Sequence, residues 1–153
     1  MARFVANQIQ LVQPNQPVLL DGSWWANRRY LFHQDESGIV TLRGIVNNPY
    51  VEYAVYQVAY NANIAIPTGG TAGVEIALAI ARNGQILPTT RATVNPAAAD
   101  DYWHVGASDY IIVPRGMSVD ISVENASVSA TPATTPAPAI NVQNGSLIVV
   151  RVA

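Results

Sequence analysis

An apolar residue at every second position marks a strand with one face on a core and the other on water, and that pattern runs through most of this chain. In Met117-Ser118-Val119-Asp120-Ile121-Ser122-Val123-Glu124 every odd position is apolar and every even one polar. Val74, Ile76, Leu78 and Ile80 alternate with Glu75, Ala77, Ala79 and Ala81, and a β-branched run occupies 147–152. Glycine and proline break these runs: Asn83-Gly84 reads as a two-residue hairpin, and Thr68-Gly69-Gly70 and Pro114-Arg115-Gly116 as turns. No stretch of ten or more residues is amphipathic at helical spacing. The chain is therefore all-β, with strands expected over 7–13, 16–20, 29–34, 38–46, 50–63, 72–82, 85–94, 101–113, 117–125 and 140–152. About ten antiparallel strands in two sheets suit a β-sandwich or jelly roll; a parallel α/β fold would need crossover helices.

With 153 residues, the chain is long enough for one domain with its own core. Half of its residues are hydrophobic and only 12% are charged, which excludes a disordered chain. The net charge is -2, and the eight cations are all arginines, dispersed except for Arg28-Arg29, so a nucleic-acid partner is not expected. Cysteine is absent, and with it any disulfide or thiolate site. Residues 1–7 meet Asn and Gln too early for the apolar centre of a secretion signal, and no run nears the ~20 apolar residues of a membrane span. The expectation is a protein made in the cytoplasm without a signal peptide and without a membrane partner. Residues 1–16 read as an N-terminal arm or edge strand, and 17–153 as the jelly-roll domain. A Pro/Thr/Ala loop at 129–139 should be extended and polyproline-like.

The polar residues form no catalytic signature. Asp100, Asp101, His104 and Asp109 are the densest cluster, but alternation sends Asp101 and His104 to opposite faces. His33, Asp35 and Glu36 lie in a polar hairpin loop. There is no Gly-x-Ser-x-Gly elbow, and Glu52, Glu75 and Glu124 sit on polar or mixed strand faces, where charge points at water. Neither an enzyme nor a cofactor is expected, and no metal site.

The aromatic residues say more. Trp24-Trp25 beside Arg28-Arg29 read as a loop that plugs the sandwich or meets a partner, since Trp and Arg dominate interface hot spots. Residues 50–65 are apolar on both faces, with Tyr56, Val58, Tyr60 and Ile64 on one and Val51, Tyr53, Val55 and Ala59 on the other. A strand covered on both faces must meet a loop or another subunit. Tyr53, Tyr56, Val58 and Tyr60 are accordingly the expected subunit contacts. The alanine face of Ala77, Ala79 and Ala81 likewise fits the close approach of another layer.

Several segments, in order, resemble a group of small structural proteins of tailed bacteriophages and prophages. They are Gly38-Ile39-Val40-Thr41-Leu42-Arg43-Gly44, Asn63-Ile64-Ala65-Ile66-Pro67 with Gly69-Gly70-Thr71, Val113-Pro114-Arg115-Gly116 with Val119 to Asn125, and Ile140-Asn141-Val142-Gln143-Asn144 with Leu147-Ile148-Val149. The resemblance implies a tumour necrosis factor-like jelly roll that assembles as a homotrimer. It also implies a structural virion role on the capsid surface, as a decoration or head-fibre protein bound to the major capsid protein or another head protein. A different reading is a carbohydrate- or receptor-binding tip of a fibre or bacterial adhesin, with exposed Trp24, Trp25 or Trp103, and Arg28 and Arg29, at the contact.

Overall fold

The computed structural model describes residues 1–25, 28–129 and 136–153, the side chain of Trp25 excepted. Among the described residues the strands are β1 (Ala2–Ala6), β2 (Gln10–Val12), β3 (Gly22–Trp25), β4 (Leu31–His33), β5 (Val40–Arg43) and β6 (Tyr53–Ala65). They continue as β7 (Ile76–Arg82), β8 (Gln85–Ile86), β9 (Ala92–Val94), β10 (Trp103–Pro114), β11 (Ser118–Asn125) and β12 (Ile140–Arg151). The first sheet has the order β10-β6-β12-β1-β3, with β2 joining the start of β12. The second runs β4-β5-β11-β7-β8, with β9 on β7. Every pairing is antiparallel. From β5 on, the principal strands fall alternately in the second and first sheets, which is the jelly-roll form of the sandwich expected from the alternation and implied by the resemblance.

Period 2 builds the core between the sheets. Phe4, Tyr56, Val58, Ile64, Leu147 and Val149 of the first sheet meet Leu42, Ile76, Leu78, Ile80 and Ile121 of the second, all fully buried. Arg82 pairs with Gln85, and Asn83 and Gly84 between them take φ of 50° and 81°. Both values are positive, as the expected tight hairpin requires. In β12 the register shifts between Gln143 and Ser146, and Asn144 stands at φ 54°. This bulge moves the inward set from Ile140 and Val142 to Leu147 and Val149, which is why the apolar positions change parity in the sequence.

Five expectations are corrected. Residues 1–16 are not an arm, and only β2, paired with β12 alone, is an edge: β1 lies between β12 and β3, with Ala2 opposite both Val149 and Trp25. Its alternation of Ala2, Phe4 and Ala6 uses small side chains and is too brief to stand out. Trp24 and Trp25 lie on a strand rather than a loop. Residues 16–20 form no strand, although Pro17 bridges to Glu124. The expected strand over 85–94 is interrupted by a 3₁₀ turn at Pro88–Thr90. The alanines of β7 are covered by the chain itself: Ala77 and Ala79 pack with Ala126 and Ile86. The polyproline-like segment falls mainly on 130–135, outside the described residues.

Gly44 holds the crossover between the sheets. Its N–H donates to the Met117 carbonyl and its own carbonyl accepts from Gly116 N–H, each at 2.8 Å. A Cβ there would stand 2.0 Å from the Pro114 carbonyl oxygen, a backbone atom that cannot swing aside. Gly44→Ala is expected to lower the unfolding free energy by ~1–3 kcal/mol, read as a reduced urea midpoint with an unchanged slope.

Candidate interaction surface

The long strand β6 sorts its side chains cleanly. Tyr56, Val58 and Tyr60 point inward and are buried in their own protomer, so they are not subunit contacts. Their hydroxyls explain why tyrosine is tolerated there. Tyr60 Oη lies 2.8 Å from the Leu78 carbonyl oxygen and 2.9 Å from that of Thr90, sharing its proton between them. Tyr56 Oη reaches the carbonyls of Arg43 and Tyr30. Each tyrosine therefore ties the first sheet to the second. Burial pushes both phenols above their ordinary value. At Tyr56 the guanidinium of Arg151 opposes the shift; it lies 4.2 Å from the Tyr30 ring centroid and 5.9 Å from that of Tyr56.

Of the four expected contacts only Tyr53 faces out. The outer face of the first sheet carries Tyr53, Val55 and Ala59 from β6, Tyr110 and Ile112 from β10, and Ile148 and Val150 from β12. The registers set them side by side: Ile112 opposite Val55, Tyr110 opposite Gln57, and Gln57 opposite Val150. Val152 adjoins through its N–H to the Val55 carbonyl. Tyr110 is 61% exposed, Ile112 51%, Tyr53 49% and Val152 48%. Single exposed apolar residues need no explanation, but a contiguous set marks an interaction surface. Towards the other end the same face turns polar. His104 Nδ1 lies 3.1 Å from Asn63 Oδ1, and Ser146 Oγ donates to Asn61 Oδ1 at 3.1 Å.

The expected glycan contacts do not converge. Trp24 lies on β3 and Trp103 on β10, the two edges of the first sheet, so four strand spacings, about 19 Å across the sheet, separate them before their offset along the strands is added. Trp103 donates its indole N–H to Asp101. Arg29 reaches Asn47 and Arg28 is exposed. Trp24 does line a shallow cleft of about 340 Å³ with Arg3, Val5, Asn7 and Ser23.

The chain matches no family model and no curated protein. Among solved structures it is similar to the globular domain of zebrafish complement 1qA protein, at 15% identity over 94% of this chain and 93% of that one, with a TM-score of 0.49. It is also similar to the C-terminal domain of the sugar-binding protein EclA, at 14% identity over 83% and 89% of the two chains (TM-score 0.36). A carbohydrate-binding module, CBM35, of Cellvibrio japonicus Abf62 aligns at 15% identity over 95% and 99% (TM-score 0.33). These neighbours assign no ligand to this chain.

Among the described residues neither histidine meets a hydroxyl or a carboxylate. His33 is buried, with its ring against Phe4 and Nε2 donating to the Ser37 carbonyl. Asp100 accepts from Thr68, and Asp109 from Thr89. Among the described residues no three His, Asp or Glu side chains gather as a metal site.

Glu124 was missed from sequence. Strict alternation places it on the solvent side of the second sheet, yet it is only 8% exposed, because residues 15–18 run beside that end of β11. Burial raises its carboxyl above the ordinary value, and a hydrogen bond from Ser122 partly opposes this. The folded state therefore holds this proton at pH values where the unfolded chain has released it, so stability falls as pH rises through that window. Glu124→Gln is expected to be more stable than the native protein at neutral pH. The two should converge below the ordinary carboxylate range, as checked by thermal denaturation across pH.

Proposed function

We propose that the protein is a non-enzymatic structural jelly roll that assembles as a homotrimer through the apolar outer face of its first sheet. Its place is on the surface of a tailed-phage head, as a decoration or head-fibre protein. The observation that carries the assembly is the contiguous set of Tyr53, Val55, Tyr110, Ile112, Val150 and Val152, apolar and open to water on one sheet face. Three copies around one axis form a closed ring in which each covers the next. Head attachment rests on the resemblance of the segments named above, in their order, to tailed-phage structural proteins. Light scattering on the purified protein is expected to find three 16.4 kDa chains per particle. Mass spectrometry of virions that encode it is expected to find many copies, retained on isolated heads. A monomer at micromolar concentration would remove the assembly, and a handful of copies confined to tails would remove the decoration role.

A glycan-binding reading is favoured by one observation, the cleft of Trp24, Arg3, Asn7 and Ser23. It combines an aromatic face with hydrogen-bond donors, as a sugar ring requires. Loss of glycan-array binding on Trp24→Ala, with assembly intact, is the result that would support it.

A further inference from the structure

On the far side of the sandwich, β11 turns Asp120, Ser122 and Glu124 outward. Glu124 receives one hydrogen bond, from Ser122 Oγ to Oε1 at 3.0 Å, and Oε2 has no partner among the described residues. Among the described residues no cation pairs with it. Arg91 is held by Glu75 Oε1 and the Ala126 carbonyl, each at 3.0 Å, and Arg82 reaches the Ile112 carbonyl. Arg91–Glu75 is the one ion pair among the described residues. Glu124 is 8% exposed as a residue, and a carboxylate desolvated without a counter-charge favours any cation that can reach it.

Glu124 also lines an open cleft of about 380 Å³. Pro17 and the half-exposed Ile39 give it an apolar wall, and Asn83 and Gly84 stand opposite. Asp120 shares the cleft, but its carboxylate already accepts from Thr41 Oγ1 at 2.7 Å. Four residues along one strand, it lies about 13 Å from Glu124. That spacing is too wide for both carboxylates to ligate one metal ion, whose oxygens must converge within ~2.6 Å. It does suit a cation on an apolar stem, with the head at Glu124, the stem along Ile39 and Pro17, and Asp120 attracting it from the rim.

We propose that this cleft receives one cationic side chain, an ammonium or a guanidinium, from a docking protein. The inference does not depend on the proposed trimer. The cleft lies on the outer face of the second sheet, opposite the apolar face of the first, so it stays open in an assembly built through that face.

The test is an amide-resolved NMR titration of the full chain with butylammonium and butylguanidinium as side-chain probes, and butanol as the neutral control. Saturable shifts centred on Ile39, Ser122 and Glu124 are expected with both cations and not with butanol. Glu124→Gln, which keeps the shape, is expected to bind about thirtyfold more weakly. Should that variant fold poorly, the native protein below the ordinary carboxylate range must show the same loss. No shift, equal shifts with butanol, or unchanged binding after both changes would overturn the proposal. Spermidine binding more than tenfold tighter than butylammonium would overturn it in favour of a free polyamine.

Discussion

Tyr60→Ala is expected to unfold the protomer rather than to release folded subunits, lowering its stability by ~3–5 kcal/mol. The ring fills the space between the sheets, and its hydroxyl is the donor lying between the carbonyls of Leu78 and Thr90. Removing it leaves a cavity and deprives two backbone acceptors of a partner. Against a typical total of ~5–15 kcal/mol, the loss leaves a marginal fold at best. Tyr60→Phe separates the two contributions: it keeps the ring and should cost ~1–3 kcal/mol for the unmatched carbonyls alone. Urea denaturation at low protein concentration reads both. Native stability with altered assembly would instead place Tyr60 at a subunit contact, contrary to its burial.

The tyrosines show where sequence reasoning stops. Period 2 correctly divided β6 into a Tyr56–Val58–Tyr60 face and a Tyr53–Val55–Ala59 face. It could not say which face was inside, because both are apolar and tyrosine suits a core or an interface equally. The deciding facts are the backbone carbonyls of Leu78, Thr90 and Arg43, which lie 13 to 30 residues away and come within reach only in the folded sandwich. The same limit explains β1 and β3. Alanine and glycine carry weak strand signals, yet β12 supplies a long partner for Ala2–Ala6, which in turn pairs with Gly22–Trp25. Where the signal was local it held: Asn83-Gly84 turns as its residue types demand, and β11 alternates without error. Glu124 lies on the face that the alternation assigns, but alternation gives direction and not cover. The cover comes from residues 15–18, more than a hundred positions earlier.

Tyr110→Asp combined with Ile112→Asp is expected to turn the trimer into folded monomers. Both residues belong to β10, an edge strand of the first sheet, and both are more than half exposed in the protomer. Little of their area supports the protomer's own core, so its thermal midpoint measured in the monomer should remain close to the native one. In an assembly the remaining area is buried. At ~1.5–3 kcal/mol for full burial of a large apolar side chain, half of that for each of the two residues gives about 1.5–3 kcal/mol lost per protomer. Each carboxylate adds the cost of desolvating a charge at the contact, and threefold symmetry repeats the penalty at every contact. A shift of that size moves the assembly midpoint by several orders of magnitude in concentration. Light scattering should then report a single 16.4 kDa chain. Paired with Tyr60→Ala, this variant distinguishes an interface from a core: one should lose assembly and keep its fold, the other lose the fold first. A doubly charged face that still assembles at native concentrations would show that the copies meet elsewhere.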